Sequence, residues 1–417
     1  AAGTVVENFG VGSSVTINHN SISFTPTSSL TQGETYHISY PSGAFTNTHG
    51  DVSYVGTAYT FGVVKYAYQL WSIGSGDPQH GGMHGTNTAA GASSPVQIPG
   101  TWSEASSSTF YAHALKTDGT LWGWGRNLNG SLGTNQAHNT SVSSPKQIPG
   151  TTWSALGQSF GGAYSTKALK TDGTLWAWGN GWYGALGLGQ PANTSLSSPA
   201  QIPGTTWSST FSTGYNSIAV KTDGTLWTWG DNENGALGQN TEVGNVIFSP
   251  VQVPGTTWGN SVALNQYSGF ATKTDGTLWS WGYNDYGGLG QNNRTKYSSP
   301  VQIPGTTWSK VVGTTKSIMA LKTDGTLWGM GNNEKGQLGQ NAPDNTSLSS
   351  PTQIPGTWGD VFGGGANGWM ATKTDGTLWT WGDNSGGQQG LNDTAHRSSP
   401  TQVPGTWNAG DIGSAGQ

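Results

Sequence analysis

A few stretches of this 417-residue chain carry residue types and spacings that could do chemistry. Gly157-Gln-Ser159-Phe-Gly161 fits the Gly-x-Ser-x-Gly pattern in which a nucleophilic serine sits on a strand-to-helix elbow. The next segment, GAYSTKALK, reads as a strand, so Ser159 is expected at a glycine-eased strand end and not on an elbow. His80 and His84 in HGGMH have the i, i+4 spacing of a metal pair. That spacing converges only on a helix, and the glycines here favour a loop. Residues 231–242, DNENGALGQNTE, look like a calcium loop until the sixth position, which needs glycine and is Ala236. Turn chemistry accounts for them better. The chain has no cysteine, which removes thiolate nucleophiles, zinc thiolates and disulfides. The expectation is therefore a protein that is not an enzyme, with no cofactor and no metal.

Composition points the same way. Charged residues make up 9% of the chain, the net charge is −5, and the 16 basic residues are scattered, so nucleic acid is not an expected partner. No run of eighteen apolar residues suggests membrane insertion, and the first ten residues carry no basic, apolar leader. With 67 Gly, 21 Trp and short bursts of β-branched and aromatic residues between turn formers, the chain reads as all-β.

The elements that would position any site come from a repeat. KTDGTLW occurs six times, starting at Lys116, Lys170, Lys221, Lys273, Lys322 and Lys373, at intervals of 49 to 54 residues. A degenerate seventh copy, KYAYQLW, starts at Lys65. A second signature, Pro-x-Gln-Ile/Val-Pro-Gly-Thr, starts at Pro95, Pro145, Pro199, Pro250, Pro300, Pro351 and Pro400. Asp-Gly suits a two-residue hairpin turn with positive φ at both positions, which assigns turns to Asp118-Gly119, Asp172-Gly173, Asp223-Gly224, Asp275-Gly276, Asp324-Gly325 and Asp375-Gly376. Trp122 and Trp124 are two apart and share one strand face, as do Trp176 and Trp178, Trp227 and Trp229, Trp279 and Trp281, and Trp379 and Trp381. Trp328 stands in the same place in the remaining copy. Each indole can bury roughly 150–250 Å² between neighbouring sheets. The repeated Lys and Asp are expected to serve the architecture of every unit, Asp for the turn and Lys for a polar rim.

STKALKTDGTLWAWGNGWYGALG and its sister segments resemble the repeats of the regulator of chromosome condensation family. That resemblance implies a β-propeller, and the counts of seven predict a seven-bladed ring of four-stranded blades over residues 65–417. Closure is expected by pairing of residues about 62–74 with about 407–414. Residues 1–64 carry alternating strands and, around LTQGETYHISYPSGAFTNTHG, resemble part of a bacterial surface-layer-type Ig-like domain. Further strands precede this point in that family, so truncation, or a strand lent by a neighbouring subunit, is expected.

Recognition is sought where the repeats differ, since loops on a rigid frame carry binding. The candidates are Glu242, Val243, Asn245, Phe248, Asn293, Arg294, Lys296 and Tyr297, which combine aromatics, amides and charge. An Ig-like portion joined to a repeat ring, with a Thr/Ser/Asn/Gly-rich composition, suggests a structural or binding protein of a phage virion (fibre, tail or decoration) outside the cytoplasm. A bacterial surface adhesin is the alternative. Expected partners are other virion or surface proteins and a host-cell glycan or protein receptor, with the Ig-like portion as a route to homo-oligomers. Nucleotide exchange on a small GTPase, an activity of the resembled family, is the disfavoured reading, because the basic tail needed for chromatin is missing.

Overall fold

The computed structural model describes residues 15–18, 21–24, 35–38, 59–62, 68–74, 84–88 and 92–405, except 109, 160–164, 192–193, 242–243, 266, 343–345, 365–366, 386 and 388. Two compact units divide the chain, Ala1–Ala67 and Tyr68–Gln417. In the first, Val15–Asn18 pairs antiparallel with Ser21–Phe24, and Thr35–Ile38 with Tyr59–Gly62. Two strand pairs do not establish an Ig-like sandwich.

The second unit is an all-β propeller of six blades, not seven. Four sheets have four strands and two have five. The KYAYQLW copy explains the lower count. It lacks the Asp-Gly turn, and its strand Tyr68–Gly74 pairs with the first half of the 16-residue strand Ala92–Ser107. The second half of that strand, from Trp102, is the innermost strand of the first blade and pairs with Tyr111–Lys116. The degenerate copy thus adds a fifth strand to the first blade and builds no blade of its own. The predicted closing partner, residues 407–414, lies outside the described residues.

Within a blade the strands run antiparallel, as in Trp258–Leu264, Ser268–Lys273, Leu278–Gly282 and Tyr297–Ile303 of the fourth. The outer strand always carries Ser-Ser-Pro or Phe-Ser-Pro, and proline there denies a hydrogen-bond donor to any strand that would add to the edge. Both faces of the inner strands are apolar because neighbouring blades pack on them. Phe211, Ile218 and Val220 of the third blade share one buried cluster with Trp258, Val262 and Trp281 of the fourth.

The hairpin turn differs from the two-residue expectation. Gly119 N–H donates to Lys116 O at 3.1 Å, Lys116 N–H donates to Thr120 O at 2.9 Å, and Gly119 has φ 79°. This is a three-residue loop with a bulged glycine, and no aspartate of these turns is among the described non-glycine residues with positive φ. The physical reason is the aspartate side chain. Asp118 Oδ1 accepts both the Thr120 backbone N–H (2.9 Å) and the Thr120 hydroxyl (2.6 Å), which holds the chain in this form.

Seams between blades depend on one glycine each. In Gly-x-Leu-Gly of the third blade, Gly238 sits at φ 68° with the fourth blade's Trp281 so close that an added Cβ would lie 2.9 Å from its Nε1. Trp281 Nε1 donates to Ala236 O at 2.9 Å. Trp178, Trp229 and Trp381 make the same bond to Ser131, Ala185 and Gln337.

Candidate functional site

The antiparallel blades place their connections at two ends. At one end lie the Asp-Gly hairpins and the Pro-Gly-Thr turns. There the repeated Lys and Asp form the same construction in six blades. The Thr hydroxyl donates to Asp at 2.6–2.7 Å and accepts the Nε1 proton of Trp122, Trp176, Trp227, Trp279, Trp328 or Trp379 at 2.8–2.9 Å. The Lys ammonium lies over that indole at 3.8–4.9 Å and over the Trp of the innermost strand at 4.6–5.3 Å. Hydrogen bonds from Thr120 are the main reason that the Asp118 carboxyl titrates below its ordinary range, and Asp172, Asp223, Asp275, Asp324 and Asp375 follow through their own threonines. Each lysine is committed to two indoles and each aspartate to its turn, so this end is built as structure.

At the other end lie the short turns between the two inner strands and the loops that leave the third strand. Here the blades stop being alike. A cleft of about 320 Å³ opens across the third, fourth and fifth blades, walled by Tyr267, Tyr283 and Tyr286 and closed by Asn265, Thr315 and Lys316, with Glu233 and Asn234 on its rim. The tyrosines meet edge to face, Tyr267 to Tyr283 at 5.9 Å and Tyr283 to Tyr286 at 6.3 Å. This geometry suits the ring quadrupoles. Hydrogen bonding to Asp285 pushes the Tyr283 hydroxyl up to about 12, so it stays protonated.

The sequence candidate Lys296 reaches this cleft. Its ammonium lies 4.7 Å from the Tyr283 ring, donates to Asn234 Oδ1 at 2.9 Å, and stands 3.8 Å from Asp285. Lys316 lies over Tyr286 at 5.0 Å, with no acidic partner among the described residues. The other candidates disperse. Asn293 organises its own turn, donating to Gln291 O and the Tyr297 hydroxyl and accepting from Thr295 N–H, while Arg294 and Asn245 are exposed. Phe248 packs against Gly184 of the second blade. Glu242 and Val243 lie outside the described residues.

A second pair of tyrosines joins the corresponding loops of the second and third blades. Tyr215 of the third blade meets Tyr183 of the second at 5.1 Å. Tyr183 and its neighbour Trp182 are each 45% exposed. Tyr183 has φ 53°, where the first and third blades place Asn129 and Asn234. A bulky residue with a left-handed backbone is strained, and such strain gathers at functional sites.

Sequence reasoning missed this cleft because its tyrosines fall in the Gly-rich loops read as turns. It also missed two buried bases. His113 is lowered to about 4 and Lys167 to about 7, both chiefly by burial. The remaining chemical candidates have structural roles or fall outside view. Gln158–Ser159 is a short strand pairing parallel with the third blade. His84 is buried with its Nδ1 2.8 Å from the Ser72 hydroxyl, and His80 is outside the described residues. In the supposed calcium loop, Asn232 Oδ1 accepts Leu237 N–H and Asp231 Oδ1 accepts Glu233 N–H. Asn127, Asn284, Asn333 and Asn384 hold the corresponding loops in the same way.

Comparison with known proteins decides the family. The model of the regulator of chromosome condensation (RCC1) repeat matches residues 118–167, 172–220, 223–262, 275–315, 324–366 and 375–409, more than half of the chain. The chain belongs to the RCC1 repeat family. It is 28% identical over 200 residues to the ultraviolet-B receptor UVR8 of Arabidopsis thaliana, covering 48% of this chain and 45% of the receptor. It is 33% identical over 135 residues to human protein RCC2, covering 31% of this chain and 25% of RCC2. The mitochondrial RCC1 domain-containing protein RUG3 of Arabidopsis thaliana is 29% identical over 177 residues, 40% of this chain and 39% of RUG3. The chain thus spans less than half the length of these curated relatives. Among solved structures, Prp20p from Saccharomyces cerevisiae shares the fold with a TM-score of 0.69 at 18% identity, over 85% of this chain and 92% of that one.

These findings overturn the phage virion reading and its adhesin alternative. The relatives are RCC1-family proteins, not phage fibre proteins. Thr/Ser/Asn/Gly richness misled because six copies of one blade impose it through their turns, whatever the setting.

Proposed function

We propose that this chain is a recognition module of an RCC1-family regulator, which binds a protein partner through the tyrosine-lined end of its third to fifth blades and acts by binding, not by catalysis. One observation carries the reading. Six blades repeat one construction at the hairpin end, and at the opposite end the same frame carries a cleft of tyrosines, amides and one lysine with no acidic partner among the described residues. Tyrosine supplies large contact area at small entropy cost, and its hydroxyl tolerates both wet and dry surroundings, which is why it dominates protein-binding surfaces. Relatives that are by name a receptor and ubiquitin ligases agree with a regulatory role.

The absence of cysteine from the sequence makes the test simple. A single cysteine at Glu233, on the cleft rim, or at Thr205, in an exposed turn at the hairpin end, carries a photo-crosslinker in cells that make the protein. Discrete protein adducts from Glu233→Cys and none from Thr205→Cys are expected. Equal labelling from both positions, or adducts from Thr205→Cys alone, contradicts the assignment.

A further inference from the structure

We propose that the cleft binds a carboxylate carried by an apolar-flanked peptide segment of the partner, with Lys316 and Asn265 as the groups that receive it. The inference rests on the protein-binding reading above and names the chemistry of that site.

The cleft's electrostatics are asymmetric. Asp285 is occupied by Lys296 and by the Tyr283 hydroxyl. Lys296 also donates to Asn234. Lys316 is held over the Tyr286 ring with no carboxylate within ion-pair distance among the described residues. Beside it, Asn265 is only 8% exposed, and its carbonyl oxygen accepts Tyr267 N–H at 3.1 Å. Its Nδ2 makes no hydrogen bond to another group among the described residues and is left for a ligand or water. Thr315, whose side chain carries a hydroxyl, lines the same cleft. An ammonium, an amide N–H and a hydroxyl at one cleft match an anion that accepts several hydrogen bonds.

Lys316 is the cleft lysine with no carboxylate partner among the described residues, and with Glu233 adding a negative charge on the rim the site suits a singly charged carboxylate. Phosphate groups are generally met by arginine clusters that neutralise more charge. The rings of Tyr267, Tyr283 and Tyr286 offer apolar surface for the residues beside the carboxylate. A sugar would need an open ring face for stacking, and ammonium groups take one face of Tyr283 and one of Tyr286.

Titration calorimetry of the full chain with three short probes tests this. The acetylated, amidated tetrapeptide Gly-Phe-Asp-Gly carries a side-chain carboxylate, its Gly-Phe-Asn-Gly counterpart carries none, and acetyl-Gly-Gly-Phe carries a terminal one. A hydrogen bond to a charged group contributes roughly 1.5–3 kcal/mol, so at least one acid is expected to bind about tenfold or more tighter than the amide probe. Which acid binds tells a side-chain source from a chain end. Lys316→Met keeps an aliphatic stem over Tyr286 and should remove that preference, while Lys316→Arg should keep most of it and unchanged thermal unfolding certifies both variants. Equal affinity for acid and amide, full retention of the preference in Lys316→Met, or no binding of either acid at millimolar concentration overturns the proposal. If it falls while Glu233→Cys still captures a protein, the ligand chemistry is wrong and the binding end is right.

Discussion

Lys167 shows how far a single residue can depart from its repeat. It occupies the position filled by Ile218, Phe270, Met319 and Met370 in other blades, is 1% exposed, and its ammonium donates to the Ser165 hydroxyl at 2.8 Å. Burial lowers it to about 7, so near neutrality the folded chain releases a proton that the unfolded chain keeps up to about pH 10.5. The unfolded state binds more protons between these values, so stability rises with pH across that window and falls as pH drops towards 7, at about 1.4 kcal/mol per unit from this group. Below about 7 both states are protonated and the dependence ends. Lys167→Met is expected to raise stability at pH 7 and to flatten the wild-type rise between pH 7 and 9, as measured by urea unfolding at each pH. An unchanged slope would show that Lys167 finds a charged partner. The sequence gives no warning of this burial, because the register that makes the position internal is visible only against the other blades.

At the scale of elements, the seam decides stability. Among the described residues, four seams join a buried indole N–H to a carbonyl of the preceding Gly-x-Leu-Gly loop, and the fifth blade has Met330 in that place, with its sulfur against Gly290. Met330→Trp would restore the bond, with the Gly288 carbonyl as the equivalent acceptor. A net gain of about 1 kcal/mol is expected in chemical denaturation. A loss of similar size would mean that the seam has closed around the thinner side chain. The hairpins were partly legible: Asp-Gly announces a turn, but not which one. Two-residue and three-residue loops use the same letters, and Thr120 decides between them by donating its hydroxyl to Asp118. The Lys–Trp stacks were only half legible: one indole is six residues on, across the same hairpin, but the other lies about fifteen residues back on the innermost strand, and its approach depends on the fold.

At the scale of the whole molecule, each blade packs on its neighbours in the row, so energies should combine as in a linear array. Gly238→Ala and Trp281→Phe act on one seam and should couple, whereas Gly238→Ala and Gly133→Ala, at the seams to the fourth and second blades, should add within about 0.5 kcal/mol. A double-mutant cycle by urea denaturation checks this, and strong coupling between the distant pair would show that the ring responds as one body. The sequence by itself determined the all-β class and the repeating blade, because a period of about fifty residues with paired tryptophans and fixed turn residues leaves one kind of packing that buries every sheet. It did not determine the number of blades. Seven signatures were countable, yet only the tertiary structure shows that the Tyr68–Gly74 strand of the degenerate copy lies on an existing sheet. The cleft was likewise decided in three dimensions. Tyr267, Tyr283 and Tyr286 come from two loops of one blade, and Lys316 from the next, and their edge-to-face and cation–π geometry exists only after the blades have packed.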